Sequence, residues 1–242
     1  MVSAQPQHTP QFGHYLKALL DGQRADARQV MADALRRCSR VEDIYDALLW
    51  PIIEELNHLL RIETINRATH DLAVRIHRQI CDQVAAHLPM LGHHGKRVVL
   101  TCGAGEPEEL AGQLVADRFE AEGWDVYFLG GSLPNDEVLQ LVGKVRPHLL
   151  AIFASRPSEL PSVRRLIDTI RSVNPCPGMN VLVGGGVFNR ADGLAEEIGA
   201  DLFAPTIRGV LNAAVESQSR AETGPTRKRR RRRRSPYLSD VA

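Results

Sequence analysis

The chain has 242 residues, of which 43% are hydrophobic, 24% charged and 5% aromatic, so it can bury a sizeable core in one or two domains and is excluded from the disordered classes. Its formal charge of +1 conceals an imbalance: residues 225–242 carry eight basic groups and one acid, net +7, which leaves −6 for residues 1–224. No apolar run approaches the ~20 residues of a bilayer span, the N-terminal MVSAQPQHTPQF lacks the regions of a secretion signal, and Cys38, Cys81, Cys102 and Cys176 include no CxxC pair; a cytoplasmic protein without a disulfide framework or structural zinc is expected.

After a flexible stretch over 1–10, apolar residues recur at three- and four-residue spacings over 11–22, 24–38, 42–61 and 63–88, which a helix turns into one buried stripe. Short breaks at Asp21-Gly22-Gln23 and Ser39-Arg40 favour antiparallel neighbours, so 11–88 reads as a four-helix bundle. Pro51 falls inside the third pattern, where it kinks the helix or marks a restart. The periodicity lapses over 89–95 (PMLGHHG), a linker. From Lys96 short apolar runs alternate with helical patterns: strands at Val98–Thr101, Asp125–Leu129, Leu149–Phe153, Val181–Val183 and Asp201–Phe203, and helices near 108–122, 135–146, 158–173, 188–198 and 207–217. Five βα units require a parallel sheet covered on both faces, and right-handed crossovers favour the flavodoxin-like (Rossmann-type) order 2-1-3-4-5. The expected fold is therefore α+β in two parts: a helical cap, then an α/β domain over 96–217 whose ligands sit beyond the strand ends. The Arg-rich tail over 218–242 repels itself too strongly to join a core and reads as disordered.

This order of elements resembles the cobalamin-binding module of cobalamin-dependent methionine synthase, of corrinoid methyl-carrier proteins and of CarH-type light-sensing repressors, over about residues 11–217. That family carries DxHxxG, 41 residues, SxL, 26 to 28 residues, then GG. Here Glu106-Pro107-Glu108-Glu109-Leu110-Ala111 is followed by 41 residues, Phe153-Ala154-Ser155, 28 residues and Gly184-Gly185. A one-residue shift instead puts Gly112 and Ser155 at the motif's glycine and serine, with Glu109 at its histidine. The spacing is kept while the histidine is lost in either register. In the family that imidazole is the lower cobalt ligand and sends the cofactor's nucleotide tail into the sheet between the first, third and fourth strand ends; a charged carboxylate is a poor substitute.

The resemblance implies cofactor contacts from Glu106, Glu108, Gly130, Ser132, Leu133, Ser155, Gly184, Gly185 and Gly186, the glycines letting backbone approach a flat ligand. Sensors of the family carry a Trp, nine residues, then Glu-His on the cap; aligned here, Leu59, Thr69 and His70 take those places, with Arg61, Glu63 and Asn66 nearby. Leu59 and Asn66 are then cap contacts and His70 is the candidate upper cobalt ligand, against the plainer reading of a hydrogen-bonded helix histidine. His77 reads as surface, His148 as structural or ligand, and His93 and His94 as linker residues.

No GxSxG, Walker loop, HExxH or GxGxxG after the first strand points to a catalytic constellation, and Cys102 reads as core. The acidic cluster Glu106, Glu108, Glu109 suits the start of a helix, where the dipole favours carboxylates. The implied function is a cobalamin-binding regulatory or sensory protein acting through a partner such as a transcription regulator. The alternatives are a corrinoid methyl carrier serving methyltransferases, or a degenerate module sensing heme or another tetrapyrrole or acting as an interaction scaffold. A homo-oligomer and non-specific nucleic-acid contact through Arg227–Arg234 are further expectations.

Overall fold

A computed structural model describes residues 10–217, apart from the side chain of Glu106; the N-terminal stretch and the Arg227–Arg234 run lie outside the described residues. The cap is built from α1 (Pro10–Leu20), α2 (Arg24–Arg37), α3 (Val41–Ile44), α4 (Trp50–Arg61) and α5 (Arg67–Ala85). The third helical pattern is one continuous rod in which a π-helical turn over Tyr45–Leu49 joins α3 to α4. Pro51 closely follows the π turn, whose wider coil accommodates the ring inside the rod. The fourth pattern begins later than its periodicity suggests: Asn66 caps α5 by accepting from the Thr69 N–H at 2.9 Å.

The α/β part follows as β1 (Arg97–Cys102), α6 (Glu106–Ala121), β2 (Asp125–Phe128), α7 (Asn135–Val145), β3 (Leu149–Phe153), α8 (Leu160–Val173), β4 (Asn180–Gly184), α9 (Gly186–Asn189), α10 (Leu194–Glu197), β5 (Leu202–Phe203) and α11 (Ile207–Glu216). All strands are parallel in the order β2-β1-β3-β4-β5, the flavodoxin-like order expected, with Leu100 opposite both Phe128 and Ala151. The predicted helix over 188–198 is instead two four-residue pieces, α9 and α10, separated by Gly193 at φ +77°.

Strand alternation divides the core. Val98, Leu100, Leu149, Ala151 and Leu182 face α6 and α11, and this layer is continuous with the interior of the bundle. Val99, Leu150, Ile152, Val181 and Val183 face α7 and α8. The bundle thus shares a core with one face of the sheet. Polar contacts reinforce the seam: Tyr45 Oη donates to Asp117 (3.3 Å), Arg78 to Gln113 (3.0 Å), and Arg208 of α11 pairs with Asp43 (3.3 Å) and Asp46 (2.7 Å). The linker is docked as well, Leu91 N–H donating to the Ala121 carbonyl at 2.8 Å. Among the described residues no helix is long and apolar enough to cross a membrane.

Candidate cofactor-binding site

Seating α4 above the carboxyl ends of β3 and β4 leaves a cleft of about 430 Å³. Its upper wall is one stripe of α4: Trp50, Ile53, Glu54, Asn57, His58 and Arg61. Its floor is Glu108 and Ala111 from α6, Phe153 and Ser155 at the end of β3, Gly185 and Gly186 after β4, and Asn189 and Arg190. Gly185 is required here: it holds φ +98°, and a Cβ would press on the Ala154 carbonyl. Arg190 donates to the Ser155 carbonyl at 2.7 Å and shapes that corner.

Charge in the cleft is mixed. Burial pushes the Glu54 carboxyl above its usual range, eased by the Trp50 indole and Arg61, and burial together with Arg61 depresses the Arg190 guanidinium. Trp50 Nε1 is buried and lacks a hydrogen-bond partner of normal geometry. The walls thus offer apolar surface, backbone without Cβ and a few polar side chains, the mixture that small-molecule sites use.

A second cavity of about 390 Å³ lies between the ends of β1 and β3 and the helices α7 and α8, open to solvent beside the exposed Ser132, Leu133 and Ser162. Thr101, Cys102, Gly103, Ser132, Leu133, Asn135, Ile152 and Ser162 are among its lining. Burial, with Glu109, Glu108 and Glu159 nearby, pushes the Cys102 thiol up to about 12, which keeps it protonated and unreactive. Gly103 and Gly131 meet so closely that a Cβ at Gly131 would press on the Gly103 carbonyl.

The residues singled out in the sequence separate on this geometry. Glu108, Ser155, Gly185 and Gly186 share the cleft, and Ser132 and Leu133 line the second cavity. Gly130, at φ +67°, ties the β1 and β2 loops through its carbonyl, which accepts from the Cys102 N–H at 3.1 Å. Gly184 lets the Phe153 ring close over it; a Cβ there would lie 2.9 Å from that ring. The Glu106 side chain lies outside the described atoms.

On the cap, Arg61 faces the cleft, whereas Leu59, Asn66 and His70 do not line it. The Leu59 carbonyl closes the end of α4 by accepting from the Thr64 N–H, and Asn66 is the cap of α5. His70 is 1% exposed, with Nε2 3.2 Å from Asn57 Oδ1 and Nδ1 3.1 Å from Asp71 Oδ1; it reaches the cleft only through Asn57. His77 is fully buried rather than at the surface: its Nδ1 accepts from Tyr15 Oη at 2.9 Å and its Nε2 donates to the Leu49 carbonyl at 3.1 Å. The reason is its place on the inward stripe of α5 with Val74, Ile80, Cys81 and Val84. His148 is structural, its Nδ1 accepting from the Arg97 N–H at 3.1 Å. Sequence reasoning missed Trp50, Ile53, Glu54, Asn57, His58, Asn189 and Arg190; their signal on α4 was a mixed stripe at three- and four-residue spacing. No group of three or more His, Cys, Asp or Glu suited to a metal exists among the described residues.

Residues 96–212, from β1 into α11, match the family model described as the B12 binding domain. This part of the chain is a B12-binding domain. The larger arrangement, cap included, is similar to the structure of the Methanosarcina barkeri monomethylamine corrinoid protein, with 18% identity, a TM-score of 0.74, and coverage of 85% of this chain and 97% of that one. Two further similar structures are a cobalamin-binding protein from Desulfitobacterium hafniense DCB-2 (16% identity, TM-score 0.46, 83% and 95% covered) and a methanol:cobalamin methyltransferase complex from Methanosarcina barkeri (15% identity, TM-score 0.46, 89% and 84% covered). No curated protein matches the chain significantly. In this B12-binding domain the glycine-lined floor and the second cavity open beyond the strand ends, where ligands of such sheets bind.

Proposed function

We propose that this chain binds a corrinoid in the cleft between α4 and the ends of β3 and β4, and that it serves as a carrier of the bound cofactor for a partner enzyme. The observation that carries the reading is the cleft itself: a B12-binding domain whose glycine-lined rim is roofed by a cap helix. Ser155, Gly185 and Gly186 would support the ring from below, while Trp50, Ile53, Asn57 and His58 would cover it from above. The buried Trp50 N–H, which faces Glu54, and the Arg61 guanidinium suit the amide oxygens at the rim of such a ring.

The donor set fits the ring better than a lower cobalt ligand. Glu108 in one register, or Glu109 in the other, takes the place of the family's imidazole; Glu108 lies 3.6 Å from Arg156, so a paired carboxylate would lie beneath the ring. When bound, the cofactor supplies a cobalt centre that accepts and gives up a methyl group; this chain's residues hold the ring, exclude water from the floor and keep the cap closed over it. The similarity to a solved corrinoid protein favours the carrier over the regulatory role that the cap sequence suggests, and the burial of His70, both ring nitrogens already engaged, removes a support of that second role. A transcription regulator as partner and heme as ligand remain rival readings.

The test is direct. The purified full chain is incubated with hydroxocobalamin, methylcobalamin or heme, desalted, and its absorption recorded before and after illumination. Stoichiometric retention of corrinoid, followed by methyl transfer to a thiol acceptor when a methyltransferase is added, is the expected result. Retention of heme alone, or of nothing, overturns the reading; a light-dependent change in spectrum and oligomeric size would favour the sensor.

A further inference from the structure

The roof of the cleft is backed by a relay of polar groups. Asn57 lines the cleft from α4, and its Oδ1 lies 3.2 Å from Nε2 of His70 on α5. His70, 1% exposed, brings Nδ1 to 3.1 Å from Asp71 Oδ1, and Arg67 Nε donates to both Asp71 oxygens at 2.9 and 3.0 Å. Burial works to raise the Asp71 carboxyl, but the hydrogen bonds from His70 and Arg67 outweigh it and hold the carboxyl below its ordinary range. The charges on the neighbouring elements are few. From α4 come Glu54, His58 and Arg61 along the cleft, and from α6 comes Glu108, which feels the Arg67 charge. The end of α1 approaches at Gly22, beside Leu72, with Lys17 and Asp21 paired to each other, and α2 opens with Arg24 and Asp26. Among the described residues none of these pairs with His70 or Asp71.

Hydrogen-bond polarity follows from the order of the groups. A carboxylate only accepts, so Asp71 fixes a proton on His70 Nδ1. Nε2 is then a donor when the ring carries a second proton and an acceptor when it does not. The Asn57 amide has an oxygen at one end and an N–H2 at the other, and it must meet Nε2 with whichever end complements it. With Oδ1 at Nε2 the ring is the donor, and the N–H2 is the end left for the cleft; the bond to His70 is the one hydrogen bond of the Asn57 side chain among the described residues. Resting on the corrinoid reading above, we propose that Asp71 and His70 are positioning residues that set which end of the Asn57 amide the roof presents. While His70 holds its second proton, the amide N–H2 meets a hydrogen-bond acceptor on the upper face of the corrinoid; once that proton leaves, the amide turns and offers its oxygen.

The first experiment uses the full chain without ligand. Nitrogen-15 resonances of the His70 ring are followed from about pH 5 to about pH 9, the span over which imidazoles titrate. Nδ1 is expected to keep its proton while Nε2 loses its own, and the Asn57 side-chain amide resonance is expected to move with the same midpoint. A ring that gives up its proton from Nδ1, or an Asn57 resonance indifferent to the ring, overturns the relay whatever the chain binds. The second experiment is equilibrium titration, followed by absorbance, with cyanocobalamin, whose upper cyanide accepts a hydrogen bond, and with methylcobalamin, whose methyl does not. The affinity ratio is expected to favour cyanocobalamin about tenfold more at about pH 5.5 than at about pH 8, the worth of one hydrogen bond. His70→Gln, which keeps a partner for Asn57 but does not titrate, and Asn57→Leu should each flatten that dependence, so the proposal does not depend on one variant folding. A ratio that pH does not move, or one whose pH dependence survives both substitutions, overturns the relay and leaves the corrinoid reading standing. Retention of neither ligand overturns the corrinoid reading and, with it, the role given to Asn57.

Discussion

The cap and the rim of the sheet treat their polar groups in opposite ways. In the cap, histidines and tyrosines turn inward and satisfy one another: Tyr15, His77 and the Leu49 carbonyl form a closed chain, and His70 is held between Asn57 and Asp71. On the rim, the important positions carry little or no side chain: at Gly131 and Gly185 backbone passes where a Cβ would stand, and at Gly103 the Glu159 carboxylate takes that space. His70 in its helix stripe is therefore a poor guide to what lines the cleft, while the glycines that follow β4 are a good one. The cap contributes shape and a lid; the rim contributes the floor.

The sharpest way to break this contrast is inside the cap. His77→Leu leaves the Tyr15 hydroxyl and the Leu49 carbonyl buried without their partner, and should lower unfolding stability by about 3 kcal/mol in urea titrations at pH 7. Burial holds the His77 imidazole down at about 4, the Leu49 hydrogen bond opposing only in part. A depressed folded value means that its contribution to stability is complete above the ordinary value near 6.5 and is lost as pH falls toward 4. The unmodified chain should lose stability through that window and the variant should lose less; a variant with the same acid slope would show that the imidazole is not what titrates.

On the rim the corresponding change is Gly185→Ala. A side chain at φ +98° facing the Ala154 carbonyl should cost about 2 kcal/mol and, because Gly185 floors the cleft, should weaken corrinoid retention as well. A stable variant with unaltered retention would mean that the cofactor lies elsewhere.

How much of this was legible in the sequence depends on which physical signal each region uses. The sheet was readable because short continuous apolar runs and glycine punctuation mark its strands, buried on both faces, and parallel crossovers leave few orders to choose from; spacing along the chain then brought Glu108, Ser155 and Gly185 to one end of it. The cap face was not readable, for a geometric reason. The π turn over Tyr45–Leu49 adds a residue to the helix and rotates everything after it by about 100° relative to an ideal period, so the face presented by α4 cannot be counted from its start. Alignment to sensor sequences chose Leu59, Asn66 and His70, whereas the cleft is walled by Asn57, His58 and Arg61. His77 did leave a sign: it falls in phase with Val74, Cys81 and Val84, and a polar residue in phase with an apolar stripe is buried.

Where cap and rim meet, the effects should be smaller and should depend on pH. Asp117 of α6 accepts from Tyr45 in the π turn, and burial, aided by Asp82 and Glu120 and opposed by that hydrogen bond, raises its carboxyl to about 6. A raised value means that the folded state holds the proton more tightly, so the contribution of Asp117 to stability is complete below about pH 4 and is lost as pH rises through 6. Asp117→Asn keeps an acceptor for Tyr45 and removes the buried charge. It should stabilise the chain by about 1 to 2 kcal/mol at pH 7 and leave it unchanged at pH 4, the reverse of the slope set by His77. Thermal melts across that range distinguish the two, and a gain at pH 4 as large as at pH 7 would exclude the charge as its source.

The smallest effect belongs to the most conspicuous contact between the halves. Arg208 bridges Asp43 and Asp46 across the seam, yet its side chain is 62% exposed, and pairs held in high dielectric contribute little once side-chain entropy and salt are counted. Arg208→Ala should cost less than about 1 kcal/mol at low ionic strength and almost nothing in 0.5 M salt, where the screening length falls to about 4 Å from about 30 Å at 0.01 M. The seam is held instead by the apolar layer that runs from the bundle interior through α6 and α11 to the sheet. If Arg208→Ala loosened the cap enough to expose α4, seen as faster amide exchange over Trp50–Arg61, the cap would be fastened by charge and free to open with salt. Unchanged exchange would mean that the roof of the cleft is as permanent as the core beneath it.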